Sequence, residues 1–228
     1  ANLADSLNAV LAVDRCLWFT AIENMFTDED SYLTKGADYQ LYYEPETGHI
    51  QPLEYDGNET FKAGDTNLSP VYGETLTARP LISRLLAVPE LRQRYLAHVR
   101  TILSESFDWT VLRNKAETYQ SLIRDEVLAD TQKLTTNESF TASADSLKTM
   151  VTIRRNFLTS FAEINRTAPV ISSVTSDMAD ADDTGTVIRV TAKAGGAVSA
   201  GSVYLHYAGG IEGAFSRIVM LDDGAHHD

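Results

Sequence analysis

Between residues 27 and 61 the chain reads TDEDSYLTKGADYQLYYEPETGHIQPLEYDGNETF, and acidic side chains recur in it at three places. Asp28, Glu29 and Asp30 come first, Asp38 follows, and Asp56-Gly57-Asn58 comes last. Carboxylates gathered in one desolvated place repel one another by several kcal/mol, so a fold tolerates them only with solvent or a bound cation between them. Hard oxygen ligands on loops suit Mg²⁺ or Mn²⁺. A carboxylate beside such a cation also serves as a proton acceptor. The same residues fit a second reading, in which they are solvated turns on either side of a hairpin.

The order of the groups points to one reaction. Protein kinases place a catalytic Asp, then a metal-binding Asn, then a β-hairpin, then a metal-binding Asp directly before Phe-Gly. Here Asp30, Asp38, a hairpin over residues 38–55 and Asp56-Gly57 follow in that order. The base accepts a hydroxyl proton while the ligands hold the metal on nucleotide phosphates, and loops at the two ends of one hairpin converge on such a site.

Helices and one hairpin must position these residues. Residues 3–10 and 14–26 read as helices, with Asp14 as N-cap of the second and Leu17, Trp18, Ala21, Ile22, Met25 and Phe26 on one face. Residues 38–43 and 49–55 read as strands around the turn Glu44-Pro45-Glu46-Thr47-Gly48, and Pro52 predicts that the second strand lies at an edge. Further helices are expected over 79–87, continuing after Pro89, which kinks the helix or starts a new one, to 103, then over 108–128 and 143–164. Leu81, Leu85, Leu86, Leu91, Tyr95, Val99 and Leu103 fall at core spacing. Cys16 reads as a small core residue, Trp18 and Trp109 as helix packing, and Arg154-Arg155 as part of a solvated face.

Three segments together resemble the CotH family, the spore-coat-type atypical protein kinases. They are Asp30-Ser31-Tyr32, Asp38-Tyr39-Gln40-Leu41-Tyr42-Tyr43 and Glu54-Tyr55-Asp56-Gly57-Asn58. Arg79-Pro80-Leu81-Ile82 and the stretch Val88-Pro89-Glu90-Leu91-Arg92 are similar to the family's helical C-terminal part. The resemblance covers residues 1–164. It implies a mainly helical kinase-like C-terminal lobe with a β-hairpin, Asp30 as the catalytic acid/base, and Asp56 as principal metal ligand. Asp38 stands where the family often has Asn, and is reached through the extra loop Leu33-Thr34-Lys35-Gly36. Asn58 stands where the family has a second acid, and Tyr55 where it has Trp. The resemblance further implies ATP and Mg²⁺ or Mn²⁺ as cofactors and a Ser/Thr hydroxyl of a protein as phosphoacceptor. The basic residue that holds the phosphates on an N-terminal sheet is expected outside this sequence. Lys35 reads as a solvent-facing side chain or a phosphate contact.

Beyond Pro169 the sequence changes to Val, Ser, Thr, Gly and Asp with period-two alternation. Strands are expected over 170–176, 186–194, 202–207 and 215–221, so the fold class is α+β. The domain assignment is 1–164 for the kinase-like lobe and 169–228 for a partial Ig-like β-sandwich that continues past this sequence. The clusters Asp180/Asp182/Asp183 and Asp222/Asp223/His226/His227/Asp228 read as acidic turns, and the sequons at Asn58, Asn137 and Asn165 as chance matches to a short motif.

The 228 residues carry 19 Lys+Arg against 32 Asp+Glu, a net charge of −13. Such a surface repels phosphate backbones, which argues against nucleic acid as a partner, and no apolar run is long enough to span a bilayer. The family's frequent export and the appended β-domain favour a secreted or cell-surface location. The rival to an active kinase is a non-catalytic kinase-like scaffold or adhesion module of a cell-surface or spore-coat protein. A carboxylate-based glycosidic hydrolase is a third class with little behind it.

Overall fold

A computed structural model describes residues 3–177, 187–196, 201–209 and 215–225. The cluster Asp180/Asp182/Asp183 and residues His226, His227 and Asp228 lie outside these described residues. The chain forms two compact units, residues 1–165 and 166–228.

The first unit is an α+β assembly built around one buried helix. Helix α1 (Leu3–Asn8) leads into α2 (Val13–Phe26), a hairpin of β1 (Tyr39–Glu44) and β2 (His49–Glu54) follows, and then come α3 (Pro80–Leu86), α4 (Pro89–Glu105), α5 (Trp109–Ala129), α6 (Asn137–Thr141) and α7 (Ser143–Ser160). Single 3₁₀ turns lie at Gly57–Glu59 and Ala63–Asp65. Burial wraps around α2 rather than following one stripe: Cys16, Leu17, Ala21 and Met25 are fully covered, and so are the polar Thr20 and Asn24. Ile22, expected on the inner face, is exposed. Burial drives the Cys16 thiol up to about 12, which makes it inert packing.

Pro89 does not kink a continuous helix. It occupies the first turn of α4, where its missing N–H costs nothing, so α3 and α4 are separate helices. Leu85, Leu91, Tyr95, Val99 and Leu103 are buried, as their spacing predicts, and the Tyr95 hydroxyl donates to the Pro70 carbonyl. Helix α5 starts at Asp108, whose carboxylate accepts the Thr110 N–H at 2.9 Å.

Three sequence expectations are corrected by tertiary contacts. Asp14 is not the cap of α2. The helix begins at Val13 after Ala12, and the Asp14 carboxylate is taken by Arg94 at 2.6 Å and by His98 at 3.0 Å on α4. The last helix stops at Ser160 rather than at 164, because Arg100 donates to the carbonyls of Glu163 and Ile164 and holds that tail against α4. Arg154 and Arg155 do not form a solvated face. Arg154 is 2 % exposed, and Arg155 donates to the carbonyls of Leu103 and Phe107.

The hairpin is antiparallel, with Tyr39 opposite Glu54 and Glu44 opposite His49. Gly48, at φ +71°, supplies the left-handed residue that closes its turn. Strand β2 lies at an edge of this two-stranded sheet, as Pro52 predicts. At Ile50 it also meets the segment before α2: Ala12 donates to the Ile50 carbonyl at 3.0 Å and Ile50 to the Val10 carbonyl at 2.8 Å. The start of α2 and the hairpin are thereby one piece.

In the second unit, β3 (Val170–Ser176) pairs with β4 (Val190–Gly195) and β5 (Val203–Tyr207) with β6 (Ser216–Met220), both antiparallel. Among the described residues no helix is long and apolar enough to cross a membrane.

Because Leu17 is fully covered in the centre of the first unit, Leu17→Ala is expected to cost about 2–5 kcal/mol in denaturant unfolding. Leu122→Ser, on the exposed side of α5, is expected to change stability by less than about 0.5 kcal/mol.

Candidate functional site

Two chain arms meet at the C-terminus of α2. The helix ends at Phe26, and Thr27 turns the chain through a left-handed conformation at φ 51° and ψ 54°. Residues 28–36 then fold into a tight loop. The Ser31 and Thr34 hydroxyls donate to the Asp28 carbonyl at 2.9 and 3.0 Å, and Arg79 donates to the carbonyls of Leu33 and Thr34 at 3.2 and 2.7 Å. The extra loop before Asp38 is therefore pinned from α3's entrance.

The second arm leaves the hairpin at Glu54 and crosses the first. Phe61 donates to the Phe26 carbonyl at 2.6 Å, Lys62 to the Thr27 carbonyl at 3.4 Å, and Glu29 to the Glu59 carbonyl at 3.2 Å. Rings lock the crossing, with Phe26 edge-on to both Phe61 and Phe107. Asp38 joins at the same, open end of the hairpin, since it precedes Tyr39 and Tyr39 faces Glu54 across the ladder.

Backbone strain is concentrated at these joints. Thr27, Asp38, Asp56 and Phe61 are the non-glycine residues of the first unit with φ in the left-handed region. They stand at the end of α2, the start of β1, the end of β2 and the end of the following turn. Left-handed positions of this kind cost up to about 1–3 kcal/mol each and gather at sites that over-determine them.

The carboxylates differ sharply in their surroundings. Asp28 is 1 % exposed. Its Oδ1 accepts the Asp30 N–H at 3.1 Å, and its Oδ2 has no hydrogen-bond partner. Burial raises its pKa, the bond from Asp30 opposes this, and repulsion by Asp30, Asp38 and Glu59 adds to the rise. Glu23, on α2, is 3 % exposed and accepts the Tyr32 N–H at 3.1 Å through Oε1, with Oε2 unpartnered. Burial first, then repulsion by Glu54, pushes it up to about 9, so it is a neutral acid at pH 7. Glu54 is raised by desolvation and by repulsion from Asp28 and Asp38.

Asp30 is more open. Its carboxylate is one-third exposed and ion-pairs with Lys35, which also reaches Glu29 at 3.4 Å. Lys35 is thus tied to acids rather than free in solvent. Lys62 binds Glu29 and Glu59, and both pairs raise the ammonium's pKa. Asp56 and Asn58 are exposed on the 3₁₀ turn.

Of the residues singled out from the sequence, Asp30 and Asp38 face the buried Asp28 through mutual repulsion, while Asp56 and Asn58 sit on the adjoining turn. Glu23 and the central place of Asp28 are not apparent from motif order. The available signal is a lone Glu inside the apolar run before the acidic triplet. Among the described residues no three or more His, Cys, Asp or Glu side chains are grouped so that they could hold a metal ion. An all-oxygen donor set with a buried, unpartnered carboxylate oxygen still suits Mg²⁺ or Mn²⁺, which typically take one or two carboxylates and complete their shell with water and phosphate oxygens.

The family model described as CotH kinase protein matches residues 1–158, and the chain belongs to that family. Membership brings kinase-like function, with ATP, a divalent metal and a protein acceptor as the general requirements of that class. No curated protein matches the chain.

The Glu23 shift sets a pH dependence. The unfolded chain releases this proton near 4.5 and the folded one near 9, so the group's contribution to stability is complete below the lower value and declines as pH rises towards the upper. Glu23→Gln, which keeps the shape without the charge, is expected to retain its denaturation midpoint between pH 5 and 9 better than the wild type.

Proposed function

We propose that this CotH-family chain carries the base and the metal ligands of a protein kinase. In this reading Asp30 accepts the proton of a Ser or Thr hydroxyl as that oxygen forms a bond to the γ-phosphorus of ATP, the bond to the β–γ bridging oxygen breaks, and ADP leaves. Asp56, Asp38 and Asn58 would hold Mg²⁺ or Mn²⁺, which supplies positive charge to the phosphates when bound. Asp28 belongs beside them, since its charge is repelled by Asp30 and Asp38 and its Oδ2 has no hydrogen-bond partner.

The observation that supports this reading most is the crossing of the two acidic arms. Backbone bonds at Phe26, Thr27 and Glu29 fix residues from distant parts of the sequence side by side, and a buried carboxylate oxygen at the crossing has no partner. A cation there would satisfy that oxygen, since an unsatisfied buried acceptor costs about 1–3 kcal/mol. Lys35 reaches Asp30 from the solvent side, so an arriving hydroxyl displaces it, and its ammonium is then free to meet phosphate oxygen.

A second reading is favoured by that same ion pair. With Lys35 seated on Asp30 and a neutral Asn58 on the adjoining turn, the domain would serve as a non-catalytic scaffold or adhesion module. A secreted or cell-surface setting accompanies either reading.

Isothermal titration of ATP into the full-length protein, with and without Mg²⁺, separates the two. Binding is expected only with Mg²⁺ and is expected to weaken by about tenfold or more in Asp56→Ala, a loss of about 1.4 kcal/mol. Asp30→Asn is expected to keep binding and lose phosphoryl transfer. No binding under any condition leaves the scaffold reading.

A further inference from the structure

We infer that Arg154 is the positioning residue of the acidic site: its guanidinium clamps together the two chain arms that carry the carboxylates. This rests on the phosphotransfer reading of the site.

Arg154 is the only buried basic side chain among the described residues. It makes five hydrogen bonds. Nη2 donates to the backbone carbonyl and the side-chain Oδ1 of Asn24, both at 2.9 Å, Nε donates to the Met25 carbonyl at 3.4 Å, and Nη1 donates to the carbonyls of Thr66, at 3.2 Å, and Leu68. Asn24 and Met25 lie in the last turn of α2, which ends at Phe26 just before Thr27 and Asp28. Thr66 and Leu68 end the arm that carries Asp56, Asn58 and Glu59. Asn24 adds a second link, since its Nδ2 donates to the Ser69 carbonyl at 2.9 Å.

The energetics argue for more than filling space. All five acceptors are neutral oxygens, and burying a guanidinium without a hydrogen-bonded carboxylate costs several kcal/mol, which burial expresses by lowering its pKa. An apolar side chain of similar volume would pack the same gap at less cost. It could not bridge two sets of carbonyls. Planar, multi-donor geometry is what Arg has and Lys lacks. Helix α7, which carries Arg154, contributes none of the acidic residues of the site, so its part is to set the distance between arms that repel each other.

The test is amide hydrogen exchange on the full-length protein, read by peptide, with Arg154→Lys as the variant. Peptides covering 27–35 and 56–68 are expected to exchange roughly tenfold faster, those of α4 to be unchanged, and MgATP affinity to fall. Exchange that rises by one common factor in α4 and the site marks a purely structural residue and overturns the inference, as does unchanged exchange at the site. Where Arg154→Lys does not fold, Asn24→Ala removes one acceptor and the Ser69 link and is expected to show the same local pattern. Absence of MgATP binding by the wild type overturns the phosphotransfer reading, and with it a positioning role, whereas unchanged site exchange in the variant overturns the clamp alone.

Discussion

The end of a helix exposes carbonyls that have no partner in the helix itself, and α2 ends inside the protein. Water cannot reach the carbonyls of Asn24 and Met25, and two residues on Thr27 already turns the chain away. The Asn24 carbonyl accepts the Thr27 N–H at 3.2 Å, and the guanidinium of Arg154 gives Asn24 a second donor, Met25 its own and, in the same plane, two more to the arm that returns from the hairpin. Everything at the site depends on this satisfaction of buried backbone. The loop 28–36, the crossing at Phe61 and the position of Asp28 all start from the direction in which α2 stops.

Placing Glu23, Asp28, Asp30, Asp38 and Glu54 around that point works against stability. The fold answers in three ways. It keeps Glu23 protonated, pairs Asp30 and Glu29 with Lys35 and Lys62, and fixes the loops by bonds to main-chain atoms, those from the Asp30 and Tyr32 N–H groups to Asp28 and Glu23 included. The left-handed residues at the four joints add strain that local propensity would not choose. Charge repulsion and backbone strain gathered at one place are costs that local sequence preference alone does not choose.

Helix α4 distributes the remaining load. One side of it is apolar and packs on α2. Its polar positions hold the ends of other elements: Arg94 and His98 take Asp14, with Trp18 stacked on the His98 ring at 4.0 Å, and Arg92 bridges Glu74 and Glu163. These pairs are partly covered by neighbouring side chains, which makes them register marks more than sources of stability. They decide where α2 begins and where the chain leaves α7.

The sequence by itself determined the elements. Apolar spacing in residues 80–103, the proline at the head of α4, Asp108 as a cap and the turn at Gly48 are local effects, set by the preferences of residues within a few positions of each other. Membership of the kinase-like family was legible for the same reason, since its motifs are contiguous. What only the tertiary structure decided is which groups are charged, buried or bare. Asp14 looked like a cap until Arg94 claimed it, Arg154 looked like a surface cation until five carbonyl and amide oxygens enclosed it, and Asp28 was one acid of three until its neighbours from the hairpin closed over it. Each outcome depends on a partner separated by up to 130 positions in the chain, and no local pattern encodes such a distance.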